Sequence, residues 1–310
     1  MKAFILGAGL GTRLRPLTER LPKPLVPVAN RPLITYAFDH LIDELSVSEF
    51  MVNTHHCPDA YGLEFPQGKY REASLSFRHE PVLLDTAGGI DNIRDWLPAG
   101  EPFIVYNGDI LTNLSLTKAR QHHLASGNLV TLILRSEGDE LRVGFDESNG
   151  KVVDLRGALR PDWSKRYQFT GIYFVSPEFL RFIRPGKIES VVLSFLAAIE
   201  AGEKIGGFLA DEGQWSDLGE RESYLDALSL VASEFEETRP GRLSAGAAVH
   251  ETAKIDGVSS IGAGAEIGAD VVISESAIWS GGKVESGSRL HRVVVRDGEI
   301  AAGDLANIDV

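Results

Sequence analysis

A single cysteine, Cys57, in 310 residues excludes a disulfide within the chain and any cluster of cysteine metal ligands. No apolar run approaches the ~20 residues that span a bilayer. The short apolar stretch after Met1 runs into glycines and arginines rather than a cleavage site, so a secretory leader is not expected. Positive charge is also scarce: 31 Lys and Arg stand against 44 Asp and Glu, a formal charge of −13 with no basic tail. This balance argues against nucleic acid or a membrane surface as partner and suits a cytoplasmic protein. The length accommodates one large domain and a small one.

One stretch reverses the charge. After the apolar residues 3–6 come Gly7-Ala8-Gly9-Leu10-Gly11-Thr12-Arg13, and then Arg15, Arg20, Lys23 and Arg31 against the single acid Glu19. Alternate glycines let backbone amides approach a ligand without a Cβ in the way, and such nests bind anions. A cationic loop on an acidic chain points to a polyphosphate ligand. The dinucleotide fingerprint fails, because its third glycine would fall at Thr12, and no Lys-Ser or Lys-Thr follows Gly11 as a P-loop requires. Pro22-Lys23-Pro24 fixes φ on both sides of a lysine, predicting an extended, poorly helical segment.

Short apolar runs at 3–6, 50–53, 75–79 and 103–106 predict buried strands, with helical spacing at 33–45, 59–64 and 88–97 between them. A helix at 115–125, a strand at 129–134, a hairpin through Asn149-Gly150, strands at 167–175 and 205–209 and a helix at 220–236 follow. The alternation predicts an α/β fold, a Rossmann-like doubly wound mixed sheet, with ligands at the carboxyl ends of its strands. Residues 238–242 read as a linker dividing 1–237 from 243–310. Beyond it Val249, Ile255, Ile261, Ile267 and Ile273 recur every six residues. The phase slips by one and resumes at Ile278, Val284 and Leu290. This is the hexapeptide pattern of a parallel β-helix, here about two and a half coils at roughly 18 residues each.

The segments Gly-x-Gly-Thr-Arg-Leu-Arg-Pro-Leu-Thr and Pro-Lys-Pro-Leu-Val-Pro-Val resemble the signature of the sugar-phosphate nucleotidyltransferases. His79-Glu80-Pro81, Asp85-Thr86-Ala87-Gly88-Gly89, Asn107-Gly108-Asp109, Thr170-Gly171 and Trp215-Ser216-Asp217-Leu218-Gly219 extend the resemblance to about residue 230. The β-helix resembles the left-handed one appended to some members. The resemblance implies transfer of a nucleotidyl group from a nucleoside triphosphate to a sugar-1-phosphate. Gly7, Ala8, Gly9, Gly11 and Thr12 would cradle phosphates, with Arg13 and Lys23 as the catalytic cations. Glu80, Gly88 and Gly89 would meet the base, and Asn107, Gly144 and Gly171 the sugar phosphate. Asp109 and Asp217 would hold Mg²⁺, which prefers few carboxylates plus substrate oxygens.

A carboxylate accepts hydrogen bonds, so Glu80 favours bases with a ring N–H: uracil, thymine or guanine. The Glu-Lys-Pro of glucose-1-phosphate thymidylyltransferases is replaced by Leu155-Arg156-Gly157. The compact core resembles N-acetylmuramate-1-phosphate uridylyltransferases, while the β-helix tail resembles mannose-1-phosphate guanylyltransferases. The resemblance first implies UTP with N-acetylmuramate-1-phosphate or a related hexose phosphate, and as the alternative GTP with mannose-1-phosphate. A silent regulatory subunit is disfavoured by the intact Arg13, Lys23, Asp109 and Asp217. An acyltransferase with His250 or His291 as base is disfavoured by the short repeat. His55-His56 is read as structural. Trp279, Val293, Val294 and Val295 add apolar surface to the repeat and residues 297–310 read as its cap. A homo-oligomer through the β-helix is therefore expected, with catalysis complete ahead of it.

Overall fold

Strands Lys2–Leu6, Glu49–Thr54, Ala73–His79 and Phe103–Asn107 run parallel in a ten-stranded sheet. Ala3, Phe4, Ile5, Ile104 and Val105 have no exposed surface, as strands covered on both faces require. From edge to edge the order is Leu141–Asp146, Lys151–Leu155, Ile205–Leu209, Val130–Arg135, Arg166–Val175, Phe103–Asn107, Lys2–Leu6, Glu49–Thr54, Ala73–His79, Lys69–Tyr70. Arg166–Val175 runs antiparallel to both of its long neighbours, which makes the sheet mixed. The Asn149-Gly150 turn joins Leu141–Asp146 to Lys151–Leu155, with Gly150 at φ +69°.

The structure, a computed structural model, describes residues 1–235 and 243–310, so the expected linker at 238–242 lies outside the described residues. Observed helices shift by a few residues from expectation: Ile34–Leu45, Asp85–Asn92, Leu116–Ser126 and Arg221–Glu234. Helix Val191–Glu200 gave no periodic signal, because it is apolar nearly all round; it joins the main core through Val191, Val192, Phe195 and Ala198.

By their contacts the described residues form two compact units: Met1–Leu10 with Tyr36–Trp215, and Gly11–Thr35 with Ser216–Val310. This grouping differs from a division in chain order at 238–242, since the cationic stretch after Gly11 joins the unit that carries the repeat. Within that second unit the Tyr224 hydroxyl donates to the Pro27 carbonyl at 2.7 Å, and the Asn30 side-chain amide donates to the Ile261 carbonyl at 3.0 Å. Pro22-Lys23-Pro24 is not extended: Lys23–Leu25 forms one 3₁₀ turn. Proline is tolerated in a first turn, where its missing N–H has no partner to lose.

The repeat folds as a three-faced parallel β-helix. One face stacks Ala248–Val249, Glu266–Ile267, Lys283–Val284 and Ile300–Ala301; the second stacks Lys254–Ile255, Val272–Ser274, Arg289–His291 and Asp304–Ala306. The third stacks Ser260–Ile261, Ala277–Ile278 and Val294–Val295. Two and a half coils was therefore an undercount. Residues 297–310 do not cap the repeat but supply two of its strands, their inward positions Ala301 and Leu305 having carried too weak a pattern. The phase slip falls at the corner after Ser274, where Glu275 turns at φ +48° and one residue is lost from the coil. Val293, Val294 and Val295 are fully buried, and Trp279 is covered by the Arg221–Glu234 helix through a hydrogen bond to Tyr224.

Candidate active site

The parallel strands of the first unit bring their carboxyl ends to one side, where open α/β sheets bind ligands. A cavity of about 430 Å³ opens there, walled by Ala8, Gly9, Glu80, Asn107 and Asp109, all anticipated, and by Asn53, Asp85 and Thr86, which were not. Leu6, Leu83 and Ile188 add apolar surface, and Ile188 is largely exposed.

The glycines of the first loop have different duties. A Cβ on Gly7 would lie 2.9 Å from the Asn53 carbonyl and from the Tyr61 hydroxyl. Its amide donates to Asn53 Oδ1 at 2.7 Å, and its carbonyl accepts from Tyr61. Burial pushes the Tyr61 pKa up, so this hydroxyl stays a donor. The Gly7 amide is thus spent on holding the loop. Gly9 has open space around its Cβ position, the feature that close backbone approach to a ligand needs. Gly11 sits at φ +62° and precedes the 3₁₀ turn Thr12–Leu14, its carbonyl accepting from Thr18.

Glu80 is fully buried. Its Oε1 accepts from Asn53 Nδ2 at 2.7 Å and its Oε2 from the Leu84 amide at 3.0 Å. A relay therefore runs from the Leu84 amide through Glu80 and Asn53 to Gly7. The space left by Gly89 is filled by this pair, and that left by Gly88 by the Lys187 carbonyl, 2.7 Å from where a Cβ would be. Asp85 carries φ +59° and accepts from the Thr86 amide, a strained conformation of the kind that clusters at ligand sites. His55 donates to the Glu80 carbonyl through Nδ1, in keeping with a structural reading.

Of the residues expected to meet the sugar phosphate, Gly171 at φ +79° leaves room for Asn107, whose Nδ2 lies 2.5 Å from a Cβ built there. Gly144 packs on Asp154 and on the Trp163 ring. In the Leu155-Arg156-Gly157 replacement, Arg156 and Gly157 both turn with positive φ. Asp154 gathers the amides of Gly157, Leu159 and Arg160 and the Arg166 guanidinium. Burial opposes its charge, but these donors outweigh burial and hold its carboxyl below the ordinary range.

In the second unit Lys23 is buried, and its ammonium lies 3.2 Å from the half-exposed Asp217 carboxylate. Arg13 pairs with Glu220 at 3.2 Å with both side chains about two-thirds exposed, an interaction worth about 0–1 kcal/mol. A phosphate could therefore recruit this guanidinium at little cost. Gly219 is explained by the same contact: a Cβ there would lie 2.7 Å from Arg13 Nη2. Among the described residues no group of three or more His, Cys, Asp or Glu is arranged as a metal cage. Asp109 lies on the wall of the first unit's cavity, and Asp217 stands beside Lys23 in the second unit. A hard divalent cation that takes most of its ligands from water and phosphate needs only one or two carboxylates.

The family profile described as nucleotidyl transferase matches residues 2–234. The chain belongs to the nucleotidyl transferase family. Mannose-1-phosphate guanylyltransferase 1 of Arabidopsis thaliana is 31% identical over 309 residues, covering 96% of this chain and 82% of its own. UTP--glucose-1-phosphate uridylyltransferase of Synechocystis sp. is 27% identical over 259 residues, covering 75% of this chain and 64% of its own. Among solved structures, a UDP-glucose pyrophosphorylase from Acinetobacter baumanii superposes with a TM-score of 0.62 at 18% identity, covering 75% and 93% of the two chains. That last likeness speaks for the nucleotidyltransferase fold. The family match and the sequence relatives make the chain a nucleotidyltransferase, and no helix among its described residues is long and apolar enough to cross a membrane. Asn53, the main omission of the sequence reading, carries a signal after the fact: it is a polar residue closing the otherwise apolar run Phe50-Met51-Val52.

Proposed function

We propose that this nucleotidyltransferase joins GTP and mannose-1-phosphate, releasing pyrophosphate. Carrying this reading is the match of a mannose-1-phosphate guanylyltransferase across 96% of the chain, tail included. An oxygen of the sugar phosphate attacks the α-phosphorus, and the bond to the β-phosphate bridging oxygen breaks. A phosphate monoester is an adequate nucleophile near neutral pH, so the protein supplies alignment and charge neutralisation rather than a base. In this reading Arg13, with the amides of Ala8, Gly9, Gly11 and Thr12, holds the leaving phosphates, and Lys23 bridges the α-phosphate and the incoming one. Asp109 and Asp217 are the carboxylates proposed for Mg²⁺, which when bound offsets charge on the phosphates. Asn107 and Gly171, and Gly144 through its strand, shape the sugar-phosphate side.

Glu80 serves the nucleotide indirectly, holding the Gly7 loop through its hydrogen bonds to Asn53 and Leu84, with Ile188 offering apolar cover at the cavity and Gly88-Gly89 the close packing behind Glu80. A uridylyl reading, with UTP and N-acetylmuramate-1-phosphate or a related hexose phosphate, stands second. It is favoured by the compact core and by the uridylyltransferase relative. We also infer that the β-helix is left-handed, as the hexapeptide resemblance implies, and that it self-associates through the apolar residues it leaves exposed, Leu243, Ile300 and Ile308, rather than through the buried Trp279 and Val293 to Val295. Static light scattering at micromolar concentration tests the association, a monomer refuting it. The activity is tested by incubating the full chain with GTP, mannose-1-phosphate and Mg²⁺. Pyrophosphate and a GDP-sugar should form together, and both should stop with EDTA and resume with added Mg²⁺. Pyrophosphate release that ignores the sugar phosphate would refute the transfer.

A further inference from the structure

We propose that the β-helix is a positioning element for the Lys23 turn, acting through Trp279, Tyr224 and Asn30. The inference rests on the proposed role of Lys23 and stays within the second compact unit.

Two independent connections carry it. In the first, the Trp279 indole N–H donates to the Tyr224 hydroxyl at 3.0 Å, and that hydroxyl donates to the Pro27 carbonyl at 2.7 Å. Tyr224 is fully buried and Trp279 is 6% exposed, so neither hydrogen bond is readily traded for water. Pro27 lies one turn beyond Lys23, and the intervening backbone is closed by the Leu25 amide on the Pro22 carbonyl and the Val26 amide on the Lys23 carbonyl. A displacement of Pro27 is therefore passed to the lysine backbone.

In the second, the ladder between Pro27–Val28 and Arg31–Pro32 turns through Ala29 and Asn30, at φ +47° and +67°. Two positive φ values in a two-residue hairpin favour Asn and Gly, and Ala at the first position is strained. The Asn30 side chain donates to the Ile261 carbonyl of the β-helix at 3.0 Å, which pins the strained turn from outside. A buried hydroxyl relay and a pinned turn thus hold both ends of residues 27–30 against the repeat. Neither connection touches a reacting atom, so Trp279, Tyr224 and Asn30 are positioning residues.

The test uses the full chain and the pyrophosphate assay. Trp279→Phe removes the indole donor while keeping an aromatic ring. Tyr224→Phe removes the hydroxyl. Asn30→Gly removes the side-chain donor while tolerating φ +67°. Each should lower kcat at least fivefold with the KM for the sugar phosphate within twofold of the parent. The decisive readout is the same three changes made on Lys23→Ala: their effects should shrink to less than twofold, since the group they position is gone. General damage to the fold would lower both backgrounds alike and would overturn the proposal. If Lys23→Ala is impaired while all three variants keep parental kcat, the positioning idea fails and the role of Lys23 stands. If Lys23→Ala itself keeps parental kinetics, the role of Lys23 fails first, and the proposal with it. Should Trp279→Phe or Tyr224→Phe not fold, the exchange at the half-buried Asn30, Asn30→Gly, decides alone by the same comparison.

Discussion

Replacing Glu80 by Gln changes one oxygen to an NH₂ and tests whether this buried carboxylate works through its neighbours or by direct contact with the base. At one end it accepts from the Leu84 amide, and at the other from Asn53, whose own oxygen takes the Gly7 amide. Both ends of the relay are N–H donors, so a group that accepts at both termini is required. Glutamine accepts at one end only. Whichever way the introduced amide or that of Asn53 is turned, two donors face each other somewhere between Leu84 and Gly7. One buried donor left unpaired costs about 1–3 kcal/mol. For a protein of this size that lowers Tm by roughly 2–5 °C. The displaced partner is the Gly7 loop, so kcat/KM should fall for GTP and UTP together, their ratio holding within about threefold. Differential scanning fluorimetry and parallel assays with the two nucleotides measure both quantities. An unchanged Tm with a tenfold shift in the GTP to UTP ratio would refute the relay and return Glu80 to direct base contact.

Arg13→Ala and Lys23→Ala should each lose at least about tenfold in kcat/KM, since donors to transition-state charge are typically worth ~3 kcal/mol; near-parental values in a steady-state assay would sink both roles. Arg13→Ala should leave thermal stability unchanged, because its partner contact with Glu220 is exposed. Gly171→Ala combines an unfavourable positive φ with a clash on Asn107 Nδ2, so Tm and kcat/KM should both drop, and a fully active, equally stable variant contradicts the geometry. His123 lies between Thr131 and Ser176, and burial, with His122 nearby, holds its pKa down to about 4. Its unfolded value is near 6.5, so the unfolded chain binds the extra proton and stability falls as pH drops from 6.5 towards 4. The loss from pH 7 to pH 5 is about 2 kcal/mol by urea unfolding. His123→Gln should flatten that slope, and an unaltered slope would show that the proton goes elsewhere.

Much of this was written locally in the chain. The parallel strands announced themselves because their apolar runs end in Gly7, Glu80 and Asn107-Gly108-Asp109, and the six-residue spacing of Val249 to Ile273 marked the β-helix. What escaped depended on partners far away in sequence. The two glycines read as room for a base, Gly88 and Gly89, are filled by Lys187 and by the Glu80–Asn53 pair. Lys23 looked extended between its prolines, yet tertiary contacts set it in a turn and bury it. The repeat was undercounted because its last inward positions, Ala301 and Leu305, carry little of the pattern. Trp279 looked like surface for a second subunit, and its covering helix lies within the same unit.

A matrix of ATP, CTP, GTP, UTP and dTTP against mannose-, glucose-, N-acetylglucosamine- and N-acetylmuramate-1-phosphates tests the central claim most directly. Each pair is scored by the initial rate of pyrophosphate release from the full chain with Mg²⁺. Transfer should occur with a hexose-1-phosphate, GTP with mannose-1-phosphate giving the highest kcat/KM. A maximum at UTP with N-acetylmuramate-1-phosphate would move the account to its second reading. Release with no pair, or a preference for ATP or CTP, would contradict it.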